Sequence, residues 1–415
     1  MKVYLETYGC TANKCDESIA LGVLKKQNHE IVYDISDADV LVILTCTVIG
    51  TTEQRMVSRL KVFKNTDKKI IVAGCMPSVQ KDLIKSIVPN AFLLPTSQIK
   101  FIDRIIDDPI FPNEINEDRI VTKYFKDISA PISISSGCMF SCSYCITHIA
   151  RGKLKSNSIK DVISDVKLAL SNNCKEIFLT AQDTASYGMD NDYNLGDLLE
   201  KICEIKGDFR IRVGMMNPFT LQKNLDSILN AFNHRKVYKF IHLPVQSGDN
   251  KILESMRRKY TSEDFKSIIS IFKKNFSNLT VSTDIIVGFP GETDKQFENS
   301  MNLIKEIKPD IVNITKFSAR PKTIAKNMEN RISTNIVKKR SIKLTKLCKN
   351  ISRQNNKKHL ENIYSILVIK KYKDFFVGRA ENYKPVILKE NVQIGDLIKV
   401  RIVDYDDIHL VGKLI

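Results

Sequence analysis

Cys138, Cys142 and Cys145 stand at CxxxCxxC spacing in the run SSGCMFSCSYCITHIARG, directly after the apolar, strand-like PISIS. Three thiolates can each hold one iron of a [4Fe-4S] cluster, which leaves the fourth iron open to a substrate rather than to a fourth protein ligand. The same residues also suit a zinc knuckle completed by His148, or three buried free cysteines. A second set is dispersed: Cys10, Cys46 and Cys75 end the apolar runs KVYLETYG, ADVLVILTCT and KKIIVAGCM, separated by 36 and 29 residues. Ligands of open α/β sheets gather at the carboxyl ends of strands, so three cysteines at the same point of three successive units converge on one site. The competing reading makes each a small core residue.

The elements needed to position these thiols can be read from periodicity. Residues 1 to about 95 alternate buried strands with helical runs such as SIALGVLKKQ and QRMVSRLKVF, predicting a small, doubly wound α/β domain. Residues 101–130 read as a poorly patterned, charge-mixed linker. From Pro131 to about Lys316, ISISS, EIFLTA, FRIRVGMM, KFIHLPV, LTVSTDIIVG and DIVNITKFS alternate with helices, as in a partial TIM-like (β/α)6 barrel. At its strand ends stand Cys138 to Cys145, Gln182 and Asp183, Met215 and Asn217, Gln246 and Ser247, Asp284, Gly288 to Glu292, and Arg320. This polar, glycine-bearing set suits a charged nucleoside cofactor, although turn or capping roles account for any single member. Five short strands follow from about residue 362, as in a small OB-like β-barrel; an RNA-binding barrel and a dimerisation module both fit.

The chain has 415 residues, enough for two or three domains, and 43% of them are hydrophobic. No run of about 18 uncharged apolar residues occurs and the N-terminus enters a strand pattern at once, so the expectation is a soluble, cytoplasmic protein with neither signal peptide nor membrane span. Ten cysteines without a small-domain disulfide framework fit a reducing compartment and metal ligation. Sixty-four basic against 47 acidic residues give +17, a field that attracts polyanions. From Arg331 to Leu360 there are ten Lys or Arg and no Asp or Glu, with Ile336, Leu344, Leu347 and Ile351 at roughly helical spacing. Such a helix can be a solvated face, a membrane-surface helix or a nucleic-acid contact; it lacks the aromatic anchors favoured at bilayers.

Taken together, these blocks resemble the radical S-adenosylmethionine (SAM) methylthiotransferase family over essentially the whole chain. CxxxCxxC with Tyr144 between its last two cysteines is similar to the radical-SAM signature loop. TYGCTANKCDES places Cys10, Asn13 and Asp16 on the family's first cluster motif, LTCTV and AGCMP match the second and third, and HLPVQSGDNKILESMRRKYT and TDIIVGFPGETDKQF are near-complete matches. Cys15 has no counterpart. One departure is Lys322 in FSARPKTIA, where the family normally has glycine at a tight turn.

The resemblance implies four segments: 1–100, carrying an auxiliary cluster on Cys10, Cys46 and Cys75; the linker 101–130; 131–355, the radical-SAM domain with its trailing basic helix; and 356–415, an RNA-binding barrel of the TRAM type. It implies two [4Fe-4S] clusters and two SAM molecules per turnover, one giving a methyl group to sulfur and the other cleaved reductively to a 5'-deoxyadenosyl radical that activates C2 of an adenine. Such a C–H bond is too inert for acid–base catalysis. Tyr144, Gln182, Asp183, Gln246, Ser247, Asp284, Gly288 and Glu292 are the expected SAM-binding residues. LTAQDTASYGMD, GMMNP and CSYCITHIARGKLKS resemble the archaeal and eukaryotic class, which acts on N6-threonylcarbamoyladenosine at position 37 of tRNA. The partners then expected are the tRNA anticodon stem-loop and an electron donor, with the enzyme a monomer. The threonyl carboxylate calls for a guanidinium, and Arg151, Arg257, Arg258 and Arg320 are the candidates. Rival readings keep the chemistry but exchange the substrate for isopentenyladenosine or a ribosomal-protein aspartate, or replace the enzyme by a zinc-holding RNA-binding protein.

Overall fold

Three of the apolar runs form adjacent parallel strands, β1 (Lys2–Thr7), β3 (Val40–Thr45) and β4 (Lys69–Gly74), flanked by β2 (Glu30–Val32) and β5 (Phe92–Pro95) in the order β2-β1-β3-β4-β5. Every β3 residue is buried because both faces are covered. Val40, Val42 and Leu44 meet Ala20, Val23 and Leu24 of helix Thr11–Lys26, while Leu41 and Ile43 meet Met56, Leu60 and Phe63 of helix Gly50–Lys64. This alternation is the period-2 pattern of a strand covered on two sides.

The computed structural model describes residues 1–107 and 122–415. These form two compact units, one of Met1–Lys126, Ser136–Lys155 and Ser318–Lys326, the other of Asp127–Ser135, Ser156–Phe317 and Asn327–Ile415. The expected linker is structured at its start: helix Ile102–Asp107 sends Ile102, Ile105 and Ile106, at helical spacing, into the first unit's core. The rest of that stretch, through residue 121, lies outside the described residues. The short strands β7 (Ser135–Ser136) and β8 (Lys155–Ser156) flank the loop that carries Cys138 to Cys145.

The second unit contains all six expected parallel strands: β6 (Ser129–Ser133), β9 (Glu176–Thr180), β10 (Arg210–Val213), β11 (Phe240–His242), β12 (Thr280–Val287) and β13 (Ile311–Lys316). They pair as β10-β9-β6 and β11-β12-β13, and the parallel bridges Ile211↔Val237 and Met215↔His242 connect the β10 and β11 segments. The result is an open (β/α)6 arc with its strand ends on one rim.

The basic run is helix Thr334–Lys357. Its buried stripe is rotated from the expected one: Ile336 is 43% exposed, whereas Val337, Leu344 and Ile351 are buried together with Arg340. A heptad of apolar residues outweighs the single outlying isoleucine. The last segment closes into a barrel of β14 (Ile363–Tyr372), β15 (Phe375–Ala380), β16 (Pro385–Leu388), β17 (Leu397–Tyr405) and β18 (Leu410–Leu414), in the order β14-β15-β16-β18-β17. Its β15–β16 turn is seated on the arc. Tyr383 lies 5.0 Å from the Tyr238 ring and 4.9 Å from Phe240, and Lys384 Nζ reaches Asp310 at 2.7 Å and Asn356 at 2.8 Å. A buried ammonium bound to a carboxylate and an amide resists displacement, because removing either acceptor strands a charge.

Lys322 has φ +61°, so the tight turn is kept although a side chain occupies the position where glycine was expected. A non-glycine residue in this region costs roughly 1–2 kcal/mol, offset in part by glycine's larger entropy loss on folding. Lys322→Gly should therefore stabilise the protein by about 0.5–1 kcal/mol, read as a higher thermal midpoint; a lower midpoint would mean that the lysine side chain contributes more than its backbone costs.

Candidate functional site

Cys10, Cys46 and Cys75 follow the carboxyl ends of β1, β3 and β4, with β1 and β3 flanking the point where strand order reverses. Gly9, at φ +110°, permits their approach: a Cβ there would lie 2.6 Å from Cys46 Cβ and 2.9 Å from Asn13 Nδ2. Asn13 braces the opening. Its amide donates to Tyr8 O at 2.6 Å and Thr45 O at 2.9 Å, joining the ends of β1 and β3, while its Oδ1 lies 3.9 Å from Cys75 Sγ. Cys10, exposed, is the N-cap residue of helix Thr11–Lys26 and makes no side-chain capping bond. Cys46 and Cys75 are buried, and burial pushes the Cys75 thiol up to about 12 although the Arg151 guanidinium opposes the shift. Cys15 is also buried, and desolvation raises its thiol pKa further still.

The CxxxCxxC loop belongs to the same compact unit. Its thiols are half-buried, as is Tyr144 among them. The Phe140 N–H points to Cys138 Sγ at 3.5 Å. Burial raises the Cys145 thiol, opposed by N–H donors from His148 and Thr147, and Cys46 receives the same treatment from Val48 and Thr47. Donors aimed at sulfur favour the thiolate, the form that binds iron. Ile146, next to Cys145, and Ala150 of helix Thr147–Arg151 then pack with Cys75 and Val79 in one small apolar cluster. Among the described residues no group of three or more His, Cys, Asp or Glu is arranged to hold a single metal ion.

Two of the four expected substrate arginines are engaged inside this unit. Arg151 Nη2 lies 2.6 Å from Asp16 Oδ2 and 3.0 Å from Asn13 Oδ1, and buried Arg320 pairs with Glu53 and reaches Thr47. A guanidinium already paired with a buried carboxylate is a weaker receptor for a second one.

In the second unit, the expected residues stand on the strand-end rim but divide by environment. Gln182 Oε1 is buried without a hydrogen-bond partner among the described residues, and Gln246 is half-buried with φ +73°. Asp284 Oδ1 receives Asn313 Nδ2 at 2.7 Å and lies 2.8 Å from His242 Nε2. Asp183, in contrast, accepts from the N–H groups of Asn217 and Ala185 and from the Thr220 hydroxyl. Ser247 is buried, accepts from Asp249 N–H and faces Ser300. Glu292 accepts from Gly288 N–H at 2.9 Å and from Arg340 at 2.8 Å, which ties its loop to the basic helix. His242, Asn313 and Arg340 escaped the sequence reading; only Arg340 carried a signal, a charge at helical spacing from Val337 and Leu344. Arg257 is exposed, while Arg258 donates to Tyr260 Oη at 2.8 Å and acts on the charge of Asp183.

Residues 132–304 match the Radical SAM superfamily, and residues 2–94 match an uncharacterized protein family, UPF0004. A probable threonylcarbamoyladenosine tRNA methylthiotransferase of Methanocaldococcus jannaschii is 39% identical over 421 residues, covering all of this chain and 97% of that protein. The human threonylcarbamoyladenosine tRNA methylthiotransferase is 31% identical, covering 97% of this chain and 72% of its own. Among solved structures, the radical SAM methyltransferase TsrM from Kitasatospora setae, with cobalamin and a [4Fe-4S] cluster bound, aligns with a TM-score of 0.57 at 12% identity, over 78% of this chain and 73% of that one, a likeness of fold.

Burial pushes the Asp183 carboxyl up to about 6 from 3.8, against its hydrogen bonds and the pull of Arg258. The folded state therefore holds this proton more tightly than the unfolded one, and stability falls as pH rises from about 4 through 6, by on the order of 2–3 kcal/mol. Asp183→Asn should remove this component and flatten unfolding free energy across that window; an unchanged slope would assign the dependence to other groups.

Proposed function

Because the chain belongs to the threonylcarbamoyladenosine tRNA methylthiotransferase family, we propose that it converts N6-threonylcarbamoyladenosine at position 37 of tRNA to its 2-methylthio derivative. The observation that carries this reading is the gathering of Cys10, Cys46 and Cys75 at adjacent strand ends, in the unit that also contains the CxxxCxxC loop. Two all-thiol donor sets, with N–H groups directed at sulfur, fit two [4Fe-4S] clusters, Cys138, Cys142 and Cys145 holding the one that meets SAM. When bound, the clusters and SAM supply one-electron reduction, a carbon radical, sulfur and a methyl group.

The chain's own residues bind, orient and shield. Gln182 and Gln246 offer amides to the polar groups of SAM, and Tyr144 lies among the cluster cysteines. Asp284, oriented by His242 and Asn313, accepts from a hydroxyl. Asp183, Ser247, Gly288 and Glu292 act at one remove by fixing the loops that present these groups. For the threonyl carboxylate the choice narrows to Arg257 and Arg258. Arg258 is favoured because Tyr260, anchored on the carbonyls of Pro244 and Val245, holds its Nε at the strand-end rim.

The terminal barrel supports an RNA-binding role of the TRAM type. Its strand order, with β16 and β18 parallel, follows the five-stranded OB plan, and Lys371, Lys373, Arg379 and Lys399 lie on it. With the basic helix it would grip phosphates of the anticodon stem-loop, whose loop lets base 37 be splayed out. Among the described residues no helix is long and apolar enough to cross a membrane. The working unit on this reading is a cytoplasmic monomer served by a separate electron donor, divided at 1–100, 101–130, 131–355 and 356–415.

Nucleoside mass spectrometry after anaerobic incubation of reconstituted protein with SAM, dithionite and tRNA tests the proposal. A methylthio mass increment is expected only on tRNA containing threonylcarbamoyladenosine, and Arg258→Ala should weaken binding of that tRNA at least tenfold more than of tRNA lacking the group. An increment on isopentenyladenosine, or on none, would contradict the substrate assignment.

A further inference from the structure

Arg151 belongs to the CxxxCxxC segment by sequence, yet its side chain ends among the residues of the other cysteine set. The guanidinium is 6% exposed and its partner Asp16 is 8% exposed. One terminal nitrogen serves both Asp16 and Asn13, whereas Nε is buried and has no hydrogen-bond partner among the described residues. Burial works against the charge, but Asp16 and the thiols of Cys75 and Cys10 hold the guanidinium's pKa above its ordinary value. A structural ion pair explains part of this. It leaves the N–H unpaired, and a buried donor without an acceptor costs about 1–3 kcal/mol; ion-paired Arg320 and Arg340 share that feature among the described residues, and what sets Arg151 apart is that its charge acts on the thiols of Cys75 and Cys10. A further acceptor at the Cys10, Cys46 and Cys75 site would pair that N–H, and a thiolate-bound iron–sulfur cluster is a set of negatively charged sulfur acceptors.

We propose that Arg151 is the charge-compensating residue of the Cys10, Cys46 and Cys75 site, held by Asp16 and Asn13 so that its guanidinium donates to sulfur there and stabilises the reduced, more negative state. The inference rests on reading those cysteines as a cluster site. Its consequence is that the segment ligating one cluster also sets the electron affinity of the other. Asp16 opposes the guanidinium's field as well as orienting it, so the two residues should act on the potential with opposite sign.

The test uses the full-length chain carrying Cys138→Ala, Cys142→Ala and Cys145→Ala, reconstituted anaerobically so that iron occupies only the N-terminal site, and titrated with dithionite under spectroscopic observation. Arg151→Met should move the midpoint negative enough to raise the oxidised-to-reduced ratio at fixed potential at least tenfold, equal to 59 mV for one electron. Asp16→Asn should move it positive, and Arg151→Lys should fall between Met and the parent. Equal midpoints in iron-loaded parent, Met and Asn proteins, or shifts of the same sign in both variants, overturn the proposal. If Arg151→Met does not retain iron, the Asp16→Asn midpoint decides alone: a positive shift supports the proposal and no shift overturns it. A parent that binds no iron overturns the cluster reading itself, and this inference with it.

Discussion

The constraint on which the first unit depends is the pair of hydrogen bonds from the Asn13 amide to the carbonyls of Tyr8 and Thr45. They fix the ends of β1 and β3 at the one place in a parallel sheet where neighbouring connections leave in opposite directions and a crevice must open. Cys10 and Cys46 flank that crevice and Cys75 closes its third side, one strand farther on. Because Asn13 is fully used as a donor, its remaining oxygen is left to accept Arg151. One side chain thereby connects sheet geometry, thiol placement and the docking of the CxxxCxxC helix.

The second unit solves a different problem, that of holding polar groups on a rim, where most of the buried ones are paired and Gln182 Oε1 is left without a partner among the described residues. Several carboxylates there serve backbone N–H groups and cations of neighbouring loops, and the basic helix contributes through Arg340, which anchors the Gly288–Glu292 loop. The terminal barrel is held by a turn whose aromatic ring is half-buried and whose ammonium is buried. Its position is thus set by packing and a neutralised charge rather than by a flexible connection.

Strand identities, the α/β character of the chain and the placement of Cys10, Cys46 and Cys75 just past strand ends were legible from the sequence because each rests on local information: period-2 apolar runs and turn residues. β2 was not, since three residues carry too little pattern. The fate of Arg151 and Arg320 was illegible for another reason: each pairs with a carboxylate more than a hundred positions away, and a charge's partner cannot be read from its neighbours. The same holds for Asp183 and Glu292, whose types suit cofactor binding but whose lone pairs are taken by loop groups that only the fold brings near. Ile336 shows the opposite error, an apolar residue counted into a stripe that the heptad of Val337, Leu344 and Ile351 excludes.

The account stands on two cysteine sites in one compact unit, where Cys75 of one packs against Ile146, the neighbour of Cys145 in the other. Electron paramagnetic resonance of the fully reduced, reconstituted protein addresses this most directly, compared with Cys75→Ser and with the form lacking all three CxxxCxxC cysteines. The account predicts a signal broadened or split by interaction between two neighbouring paramagnetic clusters, resolving to a simple signal in each variant. A parent spectrum equal to the sum of the two variants, or a single cluster signal that Cys75→Ser leaves untouched, would contradict it.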